Sequence, residues 1–543
     1  MNTTQFNKKI LAITIPLIFS TGVIAANVPD GITLSPTQNL IIGNGSEPET
    51  LDPSLAQDNV SLEVVNDLFE TLVTWNKSGN KIIPGQARSW EVSQDGKTIT
   101  FHLRKNLKWS DGTPLTASDF VYSIRRLADP KTGSPKQTDI SDLGILNGQK
   151  VVKGELPITT LGVEAPDQTT LVVKISKPLP YAIQFFTQSD FAPLPEKIIS
   201  KWGSKWTKPE HIISNGAYQL QQHVINDSIV SVRNPYYWDN KDTVINKVTY
   251  LPANEQTEEK MFRTNQIDWT FTIPAGIPFE KLKNEYKEQL VTMPQLGNYF
   301  YDLNLTKKKF QDVRVRKALS LLVDRDAIAN KILKTGVTPT NLFLPKAMSG
   351  WVHPSNKLDK MSYDEKVTQA KALLKEAGYS AKKPLKIHLV YNTMENHKLI
   401  AQAIASMWSQ AGVKVKLDNM EWKTFLEFRR NPKNNWDVVR DGTYASINDP
   451  TNILISYTTG DPGNISHFSD KAYDALYQKA KSNLNKQDRA NQMGDLADIL
   501  SDEQPAIQIY SYVQNKLIKP YVGGFHGNPF LYWPTKNLYI IKH

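Results

Sequence analysis

The sequence predicts an α/β fold built from more than one domain, and three observations carry that prediction. The chain has 543 residues, more than a single hydrophobic core comfortably serves. Between 363 and 417 it alternates in character: Tyr363 to Ala377 reads as a helix closed by Gly378, Leu385 to Tyr391 as a strand, His397 to Ala411 as a helix closed by Gly412, and Val413 to Leu417 as a strand. Strand–helix–strand order gives parallel units with right-handed crossovers. The composition, 40% hydrophobic and 22% charged, is that of an ordinary folded chain.

The remaining elements follow in order. Asn39 to Gly43 reads as a first strand, followed by turn-forming residues through Pro53. Ser61 to Thr74 places Leu62, Val65, Leu68, Phe69 and Leu72 at helical spacing. Trp90 to Val92 and Thr98 to Leu103 alternate as strands across a turn at Gln94-Asp95-Gly96. Thr116 or Ser118 can cap a helix from Asp119 to Leu127. Strands follow at Thr170 to Ile175, Val230 to Val232 and Lys247 to Leu251. Val313 to Leu322 and Asp324 to Lys334 read as consecutive helices, Asp470 to Ser482 and Gln487 to Asp502 as a helical pair, and Ala506 to Tyr512 as a strand. No internal repeat or low-complexity tract is visible.

Composition also excludes functions. With no cysteine, disulfides, thiolate catalysis, Cys–zinc sites and a lipidated N-terminal Cys are ruled out. The net charge of +10 is scattered, which argues against a nucleic-acid stripe and mildly favours an anionic ligand or an anionic membrane surface. No Walker loop, GxSxG or HExxH is present, so neither an enzyme nor a cofactor is expected. The nine histidines are scattered, so no metal is expected either. Residues 1–25 have the form of an export signal: Lys8 and Lys9, an apolar run from Ile10 to Phe19, then Val23-Ile24-Ala25. Cleavage after Ala25 would release the chain, without lipid, into a periplasm. The apolar run is too short for a membrane span.

One stretch gathers ligand-type residues. Trp436 to Pro450 (WDVVRDGTYASINDP) opens as a buried strand and leaves it at Arg440-Asp441-Gly442 for a turn at Asn448-Asp449-Pro450. A cation, carboxylates, a glycine and an aromatic at a strand end mark a common ligand position in α/β domains.

WSDGTPLTASDF (109–120) and FQDVRVRKALSLLVDR (310–325) resemble the peptide/nickel class of periplasmic solute-binding proteins that serve ABC importers, and within it the oligopeptide-binding branch. LDP (51–53), DLFE (67–70), FHLRK (101–105), DFVYS (119–123), NGAY (215–218), TVINKVTYLP (243–252), EWKTFL (421–426), KPYVGG (519–524) and YIIKH (539–543) carry the same resemblance along the whole mature chain. The motifs themselves read as structural: Asp111-Gly112 as a tight turn, the arginines of DVRVR as pairs at a helix start.

The resemblance implies a two-lobed, hinge-closing binding protein of three domains. Residues 26–70, 194–296 and 513–543 would form lobe one, 71–193 an extra domain packed on it, and 297–512 lobe two. It implies a monomer that encloses an oligopeptide between its lobes and hands it to an inner-membrane permease with its ATPase subunits. A buried peptide needs a partner for each end charge and for its backbone. The family's cations for the peptide carboxylate fall on Arg440, Arg429 and His397; an offset in spacing leaves Arg429 and Arg430 as alternatives. Trp422, Gly442, Tyr512 and the 57–59 segment, with Gln57 and Asn59, match lining positions.

Three departures stand out. The family's ammonium-binding Asp falls on Ser446, its disulfide positions fall on Gly297 and Tyr444, and a pocket tyrosine falls on Lys136. Asp441 or Asp449 could replace the missing carboxylate, although Asp441 points away from Arg440 if the strand alternates. The alternative ligands are therefore a murein peptide, an N-blocked peptide or an amphipathic anion such as a bile salt.

Overall fold

The computed structural model describes residues 28–274, 277–353, 361–530 and 533–543. The predicted export signal, residues 1–25, lies outside the described residues. Three sheets organise the rest. The first has the order Asn39–Gly43, Lys247–Leu251, Ser228–Arg233, Tyr218–Val224, with only the first pair parallel. The second, Ala87–Val92, Thr98–Leu103, Thr170–Lys174, Val163–Asp167, is antiparallel throughout. The third has six strands: Thr338–Pro339, Ala506–Leu517, Leu290–Leu303, Val438–Tyr444, Lys386–Asn392, Lys414–Met420. Its parallel half is the predicted one, with Lys386–Asn392 parallel to both neighbours. The helix Glu395–Ser409 crosses between two of these strands and buries Ile400, Ile404 and Trp408.

Two strands are shared between the lobes. Leu290–Leu303 and Ala506–Leu517 pair antiparallel, as Leu290–Pro294 with Val513–Leu517 and as Asn298–Asp302 with 506–511, and the register slips between the two blocks. The second block belongs to the six-stranded sheet of lobe two. The first is bound to lobe one: Leu517 N–H donates to Thr270 Oγ1 at 3.0 Å, Thr270 N–H to the Leu517 carbonyl at 3.0 Å, and Gln514 Nε2 to the Phe271 carbonyl at 3.1 Å.

Most of the resembling motifs build lobe one. The helix Asn59–Leu68 stops six residues before the predicted end at Thr74, because Phe69 turns to extended backbone at φ −127° and ψ 126°. The turn sends the Glu70 carboxylate inward to accept from Gln86, Trp238 and Lys536 at 2.6–2.8 Å, and from Tyr237. Asn215 of NGAY bonds both the N–H and the carbonyl of Glu70. Asp52 of LDP pairs with Arg126 and accepts from Trp206. Gly112 lies at φ +84°, with Asp111 accepting from Thr113, so WSDGTP is a turn. Arg314 pairs with Asp312 at the helix start, as predicted, whereas Arg316 reaches back to Glu503 and to the Phe310 carbonyl.

Two further expectations shift. The helix predicted from Asp324 to Lys334 is π-helical over Ala327–Leu333. The strand expected to end at Arg440 continues through Gly442 to Tyr444, held by the ladder to Leu290–Leu303. In that ladder Gly297 stands opposite Tyr444, the two positions of the family's disulfide. A Cβ on Gly297 would lie 2.3 Å from the Thr443 carbonyl oxygen, so the tyrosine ring and the strand backbone fill the space a side chain would need. Gly297→Ala should therefore destabilise the protein by about 1–3 kcal/mol in urea unfolding, the cost of overpacking a tight contact; an unchanged midpoint would show that the strand yields freely.

Candidate functional site

A cleft of about 680 Å³ opens between the lobes. Lobe one contributes Gln57, Asn59, Asn66, Gln514 and Phe530, the unit around the second sheet contributes Trp75, Lys136, Gln188 and Asp190, the shared strand Leu290–Leu303 contributes Leu296, and lobe two contributes Tyr444, Ala445 and Ser446. Trp75 and Phe530 stack at 4.4 Å between centroids. The wall mixes amides, hydroxyls and aromatic faces, which suits a ligand with a polar backbone and varied side chains.

From Tyr444 a polar aromatic cluster runs into lobe two. Alternation along Val438–Tyr444 puts Arg440, Gly442 and Tyr444 on one face, with Tyr299 and Tyr301 opposite them on the neighbouring strand. Tyr510 and Tyr512, two residues apart on Ala506–Leu517, complete the group. Tyr444 stacks on Tyr512 at 4.4 Å, and Tyr299 on Tyr510 at 4.8 Å. Arg440 donates from Nη2 to Tyr512 Oη at 3.1 Å, and its guanidinium lies 4.6 Å from the centroid of the Tyr299 ring. Its Nε is buried without an acceptor, and no carboxylate among the described residues forms an ion pair with it. The cation thus rests on π faces with one donor unpaired and without a carboxylate in ion-pair contact. Gly442 is required here: a Cβ would sit 2.4 Å from Tyr512 Oη.

The opposite face holds a closed charge group. Asp441 does point away from Arg440, and Arg429, from the helix Trp422–Arg430, is hydrogen-bonded to it. Asp302 lies beside them, and burial together with the Asp441 carboxylate pushes it well above the usual carboxylate range. Arg429 and Asp441 balance one another. Asp449 is more firmly committed still. Both its oxygens accept from Arg489 at 2.8 Å, and the two side chains are 5% and 7% exposed. The structure therefore leaves neither aspartate free to replace a carboxylate at Ser446.

His397 is buried in the helix Glu395–Ser409, with Nδ1 3.1 Å from Tyr299 Oη. Burial and the Arg440 charge lower its pKa to about 3, so it serves as a neutral hydrogen-bonding group and not as the cation expected from the sequence. Trp422 is exposed and stacks on the buried Phe425, outside the cleft lining. Gln57, Asn59, Lys136, Tyr444 and Ser446 all line the cleft; Ser446 is exposed and accepts only from Asn452, at 3.4 Å. Sequence reasoning missed Tyr299, Tyr510 and Asp190. The paired tyrosines at alternate positions, Tyr299 with Tyr301 and Tyr510 with Tyr512, were a readable signal; Asp190 gave none. Among the described residues no group of three or more His, Asp or Glu could hold a metal ion.

Comparison with known proteins places this geometry. Residues 81–464 match the family described as bacterial extracellular solute-binding proteins, family 5 Middle. The chain is 41% identical over 530 residues to the periplasmic oligopeptide-binding protein OppA of Salmonella typhimurium, covering 97% of each chain. It superposes on the unliganded open form of MppA, a periplasmic murein tripeptide binding protein, with a TM-score of 0.89 at 40% identity, covering 95% of this chain and 99% of that one. Another structure, of Escherichia coli MppA, gives 0.72 at the same identity, covering 94% of this chain and 100% of that one.

Two measurements check the site. Asp449→Ala leaves Arg489 buried and unpaired and should cost about 3–5 kcal/mol in chemical denaturation; a loss near zero would show that Arg489 reaches water. NMR titration of His397 should find the ring neutral until the pH nears 3, and a midpoint near the ordinary value of about 6.5 would contradict its burial. Because the folded value lies below the unfolded one, His397 favours unfolding as the pH drops through that interval.

Proposed function

The chain belongs to the bacterial extracellular solute-binding proteins of family 5, and we propose that it captures oligopeptides between its lobes for ABC import. Its matched relatives are periplasmic proteins, and no helix among the described residues is long and apolar enough to cross a membrane. In this reading residues 1–25 are removed after Ala25 and the chain is released without lipid. It works as a monomer, and both lobes dock on an inner-membrane permease carrying ATPase subunits. The domains divide as the resemblance implies, at 71, 194, 297 and 513; the residue ranges of the first two sheets support this division, and the two shared strands of the third run across 297 and 513.

One observation supports the peptide reading: a guanidinium on a tyrosine platform, with a free donor and no ion-pair partner, joined through Tyr512 to Tyr444 of the cleft wall. A peptide carboxylate supplies the missing charge and accepts two donors at once. The amide-rich wall serves the peptide backbone, which leaves the side-chain sequence largely unread. Arg440 takes the carboxylate, Tyr512 orients it, and Tyr444 covers it. Arg429, already neutralised by Asp441, contributes little. Gln57, Asn59, Trp422 and Ser446 line the side-chain space when the lobes close. A murein peptide is the second reading, favoured by the superposition on open MppA.

Arg440→Ala should weaken a tripeptide with a free carboxylate at least about tenfold by calorimetry, since a charge-assisted hydrogen bond contributes roughly 1.5–3 kcal/mol, while the same peptide amidated at its C-terminus should lose far less. Equal loss for both forms would remove the carboxylate from Arg440. Binding of a murein tripeptide but of no plain tripeptide would favour the second reading.

A further inference from the structure

Lys136 and Asp190 stand on one wall of the cleft; among its described lining residues they are the only cation and the only carboxylate. Asp190 lies in the turn Ser189–Phe191 and is 3% exposed. Its carboxyl meets that of Asp139, from the short helix Thr138–Asp142. No N–H or O–H of a described residue donates to Oδ2 of either one. Two buried carboxyl oxygens cannot face each other unless a proton or a cation lies between them. Gln184 and Gln188 line the same cleft, and Gln184 Oε1 and Gln188 Nε2 are likewise buried without partners. This wall therefore holds several buried polar atoms without a protein partner.

Burial and the neighbouring Asp139 carboxyl push Asp190 up to about 8, and Asp139 is raised as well. Both shifts favour a proton held within the pair, which is otherwise negatively charged. Lys136 partly offsets that charge, Asp142 adds to it beyond Asp139, and Lys481 faces Asp142.

We propose that the Asp190–Asp139 pair is the subsite for a primary ammonium group of the ligand, which replaces the shared proton. The proposal rests on the peptide reading above and adds the place of the positive group. The exchange balances. The ligand's R–NH3+ enters, the shared proton leaves to solvent, and two carboxylates then face two cations, the ligand ammonium and Lys136. An ammonium offers three donors, which suits Asp190, Asp139 and Gln184 Oε1. Ser446, across the cleft, offers a hydroxyl alone. Lys136 thus adds no uncompensated positive charge to the cleft.

The test is calorimetry on the ligand-stripped mature protein and on D190N, at pH 7 in phosphate and in Tris. The probes are trialanine, N-acetyl-trialanine, and N-acetylated Ala-Lys-Ala against its norleucine analogue. Wild type should release about one proton on binding an ammonium-bearing probe, because an acid titrating above the working pH is displaced. D190N should bind that probe at least about tenfold more weakly, with no proton release, and should bind the acetylated, ammonium-free control as wild type does. Loss confined to trialanine assigns the α-ammonium; loss confined to the lysine probe assigns a basic side chain. Asn is isosteric with Asp, and D139N supplies the same readout if D190N fails to fold. Unchanged affinity and unchanged proton release in the variant overturn the subsite. Binding of no probe by wild type overturns the peptide reading and the subsite with it.

Discussion

The ladder between Leu290–Leu303 and Ala506–Leu517 is the constraint on which the rest of the molecule depends. One end is bonded into lobe one through Thr270 and Phe271, and the other forms the middle of the lobe-two sheet. The register slip between Pro294 and Asn298 lies between these two anchored blocks. Bending there costs no long run of backbone hydrogen bonds, so lobes with separate cores can swing while each stays packed. Gly297 sits at the slip and permits the close approach of Tyr444 that begins the binding surface.

The same two strands carry the chemistry. Tyr299 projects from one, Tyr510 and Tyr512 from the other, and Arg440 lies on the strand paired beside them. Alternation then sorts the charges. Arg440 faces the tyrosines without a counter-ion, while one residue on, Asp441 is spent on Arg429. A one-residue slip would exchange the free cation for the neutralised pair. The pair of strands shared by the lobes thus also carries the tyrosines that hold Arg440.

Much of the fold was legible because its signals are local. Gly378 at φ +85° closes the helix Tyr363–Glu376, as the sequence predicts, and Ser362 caps its start. The parallel strands around 386–420 follow from the same alternation. The failures came where tertiary contacts override local pattern. The helix at Asn59 ends early because Glu70 is drawn into a buried network with Tyr237, Trp238 and Lys536. The strand at Arg440 runs on because Leu290–Leu303 pairs with it. The aspartates at 441 and 449 look alike in sequence, yet Arg429 and Arg489 commit both. Asp139 and Asp190 are 51 residues apart in the chain and carry no motif, so only the fold brings them together.

The central claim is that the lobes close on a peptide about the shared strands. Small-angle X-ray scattering of the mature, ligand-stripped protein, with and without a saturating free-ended tripeptide, tests it most directly. The account predicts a smaller radius of gyration in the presence of peptide, as the lobes come together. An unchanged radius at proven saturation would mean that the peptide binds without enclosure, and would contradict the account.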